Sequence, residues 1–119
     1  MPTNLRLKRG DVVLALFPHS DLRTAKPRPA LVVQADDLGT DLPQIIVAMI
    51  TSKTFRANHP SRVLVELNSF EGKKSGLLAN SVVMTDNLAT IATVAIDRVI
   101  GSLQIKAIDI ALKYTLGLD

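Results

Sequence analysis

Short apolar runs alternate with turn-rich gaps along most of this chain. "DVVLALF" (11–17), "ALVVQA" (30–35) and "IIVAMITS" (45–52) are rich in β-branched residues and flanked by Gly, Pro, Ser and Asp. Runs of that length and type predict strands. "RVLVEL" (62–67) alternates polar and apolar, as a strand with one wet face would. A further short strand is predicted around Ser81 to Thr85. "ATVAIDRVIGSL" then predicts a short turn or helix leading into a last strand. In the tail the period changes: Ile105, Ile108 and Leu112, with Ala111 beside them, share one face of a helix that Gly117 would cap. The segments between read as loops or turns, and "PHSDLRTAKPRP" is long for a hairpin connection. Five or six strands without βαβ alternation predict a mainly β fold, a small antiparallel barrel with a C-terminal helix packed on it. Val12, Leu14, Val32, Ile46, Ala48, Val63 and Val82 are the expected core.

Composition narrows the function classes. The 119 residues fit one domain, 1–119, and 47% hydrophobic content argues against disorder. There is no Cys, so neither disulfides nor thiolate metal sites are available, and a reducing compartment is favoured. No run reaches the ~20 apolar residues of a membrane span. "MPTNLRLKRGD" lacks the apolar segment of a secretory signal, so the expected location is cytoplasmic, with no membrane partner. Net charge is +3, and Arg6, Lys8, Arg9, Arg23, Lys26 and Arg28 crowd the first quarter. If they meet in space they form a basic face for an anionic partner; otherwise they are ordinary solubilising charge. With 3% aromatics and no Trp, a base-stacking platform is not expected.

"TAKPRPALVV" is the segment that asks for an explanation. Pro27 and Pro29 fix their own φ and push Lys26 and Arg28 toward extended geometry. An arginine held this way is either a strand-edge anchor, paired for instance with Asp86, or part of a site.

Four motifs in order, "RGDVVLALFPHSDLRTAKPRPALVV", "IIVAMITS", "SVVMTDNLAT" and "IGSL", resemble the PemK/MazF group of toxin–antitoxin ribonucleases. The resemblance runs from Arg9 to about Leu116. It implies an SH3-like antiparallel barrel with a C-terminal helix and a homodimer. It also implies an endoribonuclease that cuts single-stranded RNA, mostly mRNA, at short sequences without metal or other cofactor. A cognate antitoxin protein would wrap the toxin and block its site.

Carried over residue by residue, the resemblance assigns Arg28, from the "RPA" motif, and Thr51, from "ITS", as catalytic. Metal-free cleavage by 2′-OH attack needs proton transfer at two oxygens and fixed donors on the phosphoryl group. A guanidinium fork suits two phosphoryl oxygens at once but is too weak an acid to serve as general base. The Thr51 hydroxyl can donate to one of them; as a plain strand end it would do nothing. Lys26 and Ser52 are candidate phosphate contacts. His19 is a candidate for base contact or proton shuttling, or is a surface loop residue. His59 reads as a turn residue. Asp86 would orient Arg28 or hold a turn. Many members continue with Gln, Ile and Arg after this acidic position; here Asn87, Leu88 and Ala89 stand there. The shorter Asn87 remains a substrate-binding candidate, while Ala89 removes a cation. That departure leaves a second reading open, a catalytically silent RNA- or antitoxin-binding module. A third is a small interaction barrel unrelated to nucleic acid.

Overall fold

In a computed structural model of the chain, residues 6–16 and 26–119 are described. Six antiparallel strands form one sheet: β1 (Asp11–Leu16), β2 (Pro27–Val32), β3 (Gln44–Thr51), β4 (Arg62–Val65), β5 (Ser81–Ala92) and β6 (Ile96–Ser102). Their order is β4-β5-β3-β2-β1-β6. A short helix α1 (Phe70–Lys74) and a C-terminal helix α2 (Lys106–Leu116) complete the fold. Single 3-10 turns cover Thr54–Ala57 and Thr93–Ala95. The expected class, mainly β with a C-terminal helix, is met. The SH3-like sheet is not closed: among the described residues no ladder joins β4 to β6.

The apolar runs are continuous because β1, β2 and β3 are covered on both faces. Val13, Ala15, Ala30, Val32 and Val47 pack into one cluster. Their neighbours Val12, Leu31 and Ala48 pack into a second, with Ile108 of α2. Val12, Val32, Ala48 and Val82 are buried as expected, whereas Leu14, Ile46 and Val63 are only partly so. Helix α2 buries Ile108 and Ala111 and stops at Gly117, whose φ of 71° lets the Leu118 N–H reach back to the Lys113 carbonyl at 2.9 Å. Arg9 fastens the N-terminal segment to this helix. Its guanidinium donates to the Val33 carbonyl at 2.8 Å and to the Asp109 carboxylate. That cation is therefore structural, which counts against the reading in which the early basic residues gather into one face.

Two strands differ from expectation for physical reasons. β2 begins at Pro27 rather than Ala30. Pro27 to Pro29 pair with Leu16 to Leu14 of β1, but the ladder to β3 runs only from Ala30 to Val32. A proline donates nothing to a ladder and is tolerated where one side of the strand is unpaired. β5 continues to Ala92 instead of ending near Thr85. Its register against β3 jumps from Met49↔Met84 to Ala48↔Leu88, so Thr85, Asp86 and Asn87 form a bulge. A bulge breaks the alternation on which strand recognition depends.

Candidate active site

The end of the β2–β3 ladder creates the site. Ala30 pairs with Met49 as the last β2–β3 pair, so Arg28 on β2 and Thr51 on β3 both lie just beyond the end of that ladder. No ladder hydrogen bonds tie the strands there, and a groove of about 660 Å³ lies at this position. Arg28, Thr51, Ser52 and Asn87 all line it. Lys26 is exposed beside Pro27 and is not among the lining residues. His19 lies outside the described residues.

Each side chain has an identifiable support. Arg28 is exposed on the proline-flanked start of β2. Thr51 closes β3, and its Oγ1 accepts the Lys53 N–H at 3.2 Å. A hydroxyl carries one donor beside its acceptor lone pairs, so this bond leaves the Thr51 O–H able to donate. Asn87 is carried by the β5 bulge. The bulge is anchored at Thr85, which is fully buried and donates from N and Oγ1 to the Ser61 carbonyl at 3.0 and 2.6 Å. Thr85 Oγ1 also meets Thr115 Oγ1 of α2 at 2.8 Å.

Asp86 does not orient Arg28. Its carboxylate takes Arg62 Nε at 3.3 Å and Nη2 at 2.8 Å. The bulge turns Asp86 toward β4 while Asn87 faces the groove, so the two neighbours serve different sides. The Arg62 hydrogen bond is the main reason the Asp86 carboxyl is held below the usual carboxylate range. A carboxylate depressed in the folded state adds stability above its unfolded pKa of about 3.9 and loses it as pH falls through the lower folded value. Asp86→Asn is therefore expected to lower Tm at neutral pH and to flatten the decline below about pH 4. Thermal melts from pH 2 to pH 7 check this; an unchanged acid limb would show that the pair is energetically idle.

Three groove cations escaped sequence reading. Lys53 follows β3, Arg56 sits in the 3-10 turn, and Arg98 comes from β6. "KTFR" directly after the "ITS" motif was the one available signal for the first two. Nothing in the sequence places Arg98 near Arg28, because only the pairing of β6 with β1 brings them to one side. Arg98 also touches Asp97 at 2.7 Å, but both side chains are more than half exposed, where such pairs contribute little. The lining thus carries four cationic side chains and no carboxylate among the described residues. Ala89 is not in the groove; it sits opposite Val47 and packs against a core cluster. His59 is a turn residue, as expected, with Nδ1 2.7 Å from Ser61 Oγ.

An open, cation-lined cleft that carries both a hydroxyl and a guanidinium can hold and polarise a phosphoryl group. No helix among the described residues is long and apolar enough to cross a membrane.

Comparison with known proteins agrees. The chain resembles the Mycobacterium tuberculosis toxin MazF-mt6, with 26% identity, a TM-score of 0.70, and 92% of this chain and 98% of that one covered. An endoribonuclease in complex with its cognate antitoxin, from Mycobacterial species, gives 21% identity and a TM-score of 0.73 over 95% and 97% of the two chains. A MazE–MazF structure from Deinococcus radiodurans (Form-II) gives 16% and 0.72 over 98% and 100%. The family model for the PemK-like, MazF-like toxin of type II toxin-antitoxin systems matches residues 8–114. Since that match spans all six strands, the groove and most of α2, the chain belongs to this toxin family.

Proposed function

We propose that this protein is the toxin of a type II pair and a metal-independent, sequence-selective endoribonuclease acting on single-stranded RNA. The observation that carries the proposal is that Arg28 and Thr51, on adjacent strands beyond the last β2–β3 pair, line one groove without carboxylates among the described residues. The 2′-oxygen attacks phosphorus, the P–O5′ bond breaks, and the products are a 2′,3′-cyclic phosphate and a 5′-hydroxyl. Arg28 binds the phosphoryl oxygens, which gain charge in the transition state, and donates toward the leaving oxygen. Thr51 donates to a second phosphoryl oxygen. Ser52, Asn87 and Lys26 contact substrate. His19 is a candidate for base contact or for shuttling a proton, since imidazole is the side chain whose charge changes near neutral pH.

The chain acts in the cytoplasm as one domain and a homodimer, and a cognate antitoxin protein silences it. Solved relatives bound to an antitoxin or to MazE support that partner. A silent binding module was suggested by the alanine at position 89. Ala89 packs against a core cluster and is not among the groove's lining residues, and the groove keeps four cations without it.

Purified protein in excess chelator is expected to cut single-stranded RNA and spare DNA of the same sequence. Binding without cleavage after long incubation would favour the silent module and contradict the proposal.

A further inference from the structure

Arg56 sits in a turn that should not hold its shape by itself. The 3-10 turn Thr54–Ala57 has no side-chain cap and buries none of its residues. Its neighbour Phe55 is largely exposed. Yet Arg56 lines the groove, and the hydrogen bond recorded for its guanidinium goes to Met84 Sδ at 3.8 Å. A thioether is a weak acceptor, poor company for a charged donor.

The support comes from behind. Arg62 spends Nε and Nη2 on Asp86, which fixes the plane of its guanidinium. The remaining Nη1 then donates to the Arg56 carbonyl at 3.3 Å. Asp86 stands beside Asn87 in the β5 bulge, so one short segment both contacts the groove and, through Arg62, braces the turn that carries Arg56. The Arg62 charge is meanwhile neutralised by Asp86, which leaves Arg56, with Lys53 at the start of the turn, as a cation presented to the groove.

Building on the RNA-cleaving reading above, we infer that Arg56 contacts a backbone phosphate of the bound strand away from the scissile one, and that Arg62 and Asp86 are its positioning residues. Such a contact adds affinity and salt dependence without reading bases.

The test separates bracing from simple charge. Asp86→Asn raises the net charge and releases Arg62, so Coulomb attraction alone predicts tighter RNA binding. A brace predicts weaker binding. The probe is a labelled, fully 2′-O-methylated RNA oligonucleotide, which cannot be cut through its 2′-oxygen, with a single-stranded DNA of the same sequence beside it. Affinity is followed by anisotropy across salt concentration.

Arg56→Gln should weaken binding several-fold and make the log–log salt slope shallower by about 0.7, the value for one phosphate contact on a single strand. Arg56→Lys should keep the slope. Asp86→Asn should weaken binding in the parent background and add nothing to Arg56→Gln. Binding by Asp86→Asn that matches or exceeds the parent overturns the positioning role. An unchanged slope in Arg56→Gln, which leaves the brace and the backbone carbonyl in place, overturns the phosphate contact even if Asp86→Asn fails to fold. If the parent binds neither probe in a salt-dependent way, the RNA reading fails and takes this inference with it.

Discussion

Arg28→Ala is expected to lower single-turnover RNA cleavage about a hundred- to a thousandfold, the usual cost of removing a preorganised donor from a developing negative charge. The effect should fall on the chemical step more than on binding. Lys53, Arg56 and Arg98 remain in the groove to attract the strand, so affinity should drop only modestly. Arg28→Lys keeps the charge but loses the fork, and should recover little of the rate. Tm should hardly move, because Arg28 is exposed and lies where β2 has no ladder to β3. A variant that cleaved as fast as the parent would remove Arg28 from the site altogether.

The second large effect is structural. Gly76 lines the groove at the point where the chain leaving α1 passes β6. It has a φ of +73°, and a Cβ there would overlap the Ile100 carbonyl. Gly101 makes the reciprocal approach, its missing side chain leaving room for the Ser75 backbone. Gly76→Ala therefore combines left-handed strain of about 1–2 kcal/mol with an overpacking cost of about 1–3 kcal/mol. The expected loss is about 2–5 kcal/mol, which lowers Tm by roughly 10 °C or more. Gly117→Ala isolates the strain alone: φ is +71°, but nothing lies within 4 Å of the added Cβ. It should cost about 1 kcal/mol. Equal melting points for the two variants would show that the close passage along β6 is not what makes Gly76 necessary.

Much of this fold is legible from apolar periodicity because β1, β2 and β3 are covered on both faces. "VVLA", "ALVV" and "IIVAMI" stand out as runs for that reason alone. Where the structure departs from plain ladders, legibility ends. The β5 bulge inserts residues that break the alternation, so half of that strand is invisible to a pattern search. β6 bulges as well, with register shifts between its pairs to Val12 and Val13 and again to Leu14 and Ala15. Its exposure pattern is accordingly irregular.

The site divides in the same way. Arg28 and Thr51 sit in contiguous motifs whose local chemistry is distinctive, and the structure brings them to adjacent strands. Asp86 was expected to orient Arg28 or to hold a turn. Neighbours in a strand face opposite ways, and the bulge directs Asp86 to Arg62 instead. Arg98 becomes a groove residue only through tertiary contacts, and its own neighbourhood, "IDRV", says nothing about RNA.

The prolines link fold to function. They end the β2–β3 ladder at Ala30, and the strands they leave unpaired form the mouth of the groove. Arg28 is thus the residue whose neighbours both aim it and open the space it faces.

The most direct measurement is end-group analysis of a single-stranded RNA cut in chelator, beside the same RNA carrying one 2′-deoxy residue immediately 5′ of the mapped cleavage site. The parent is expected to leave a 2′,3′-cyclic phosphate and a 5′-hydroxyl, with the single deoxy substitution abolishing that cut and sparing the others. Cleavage through the deoxy position, or a 5′-phosphate on the product, would contradict 2′-oxygen attack in the Arg28–Thr51 groove.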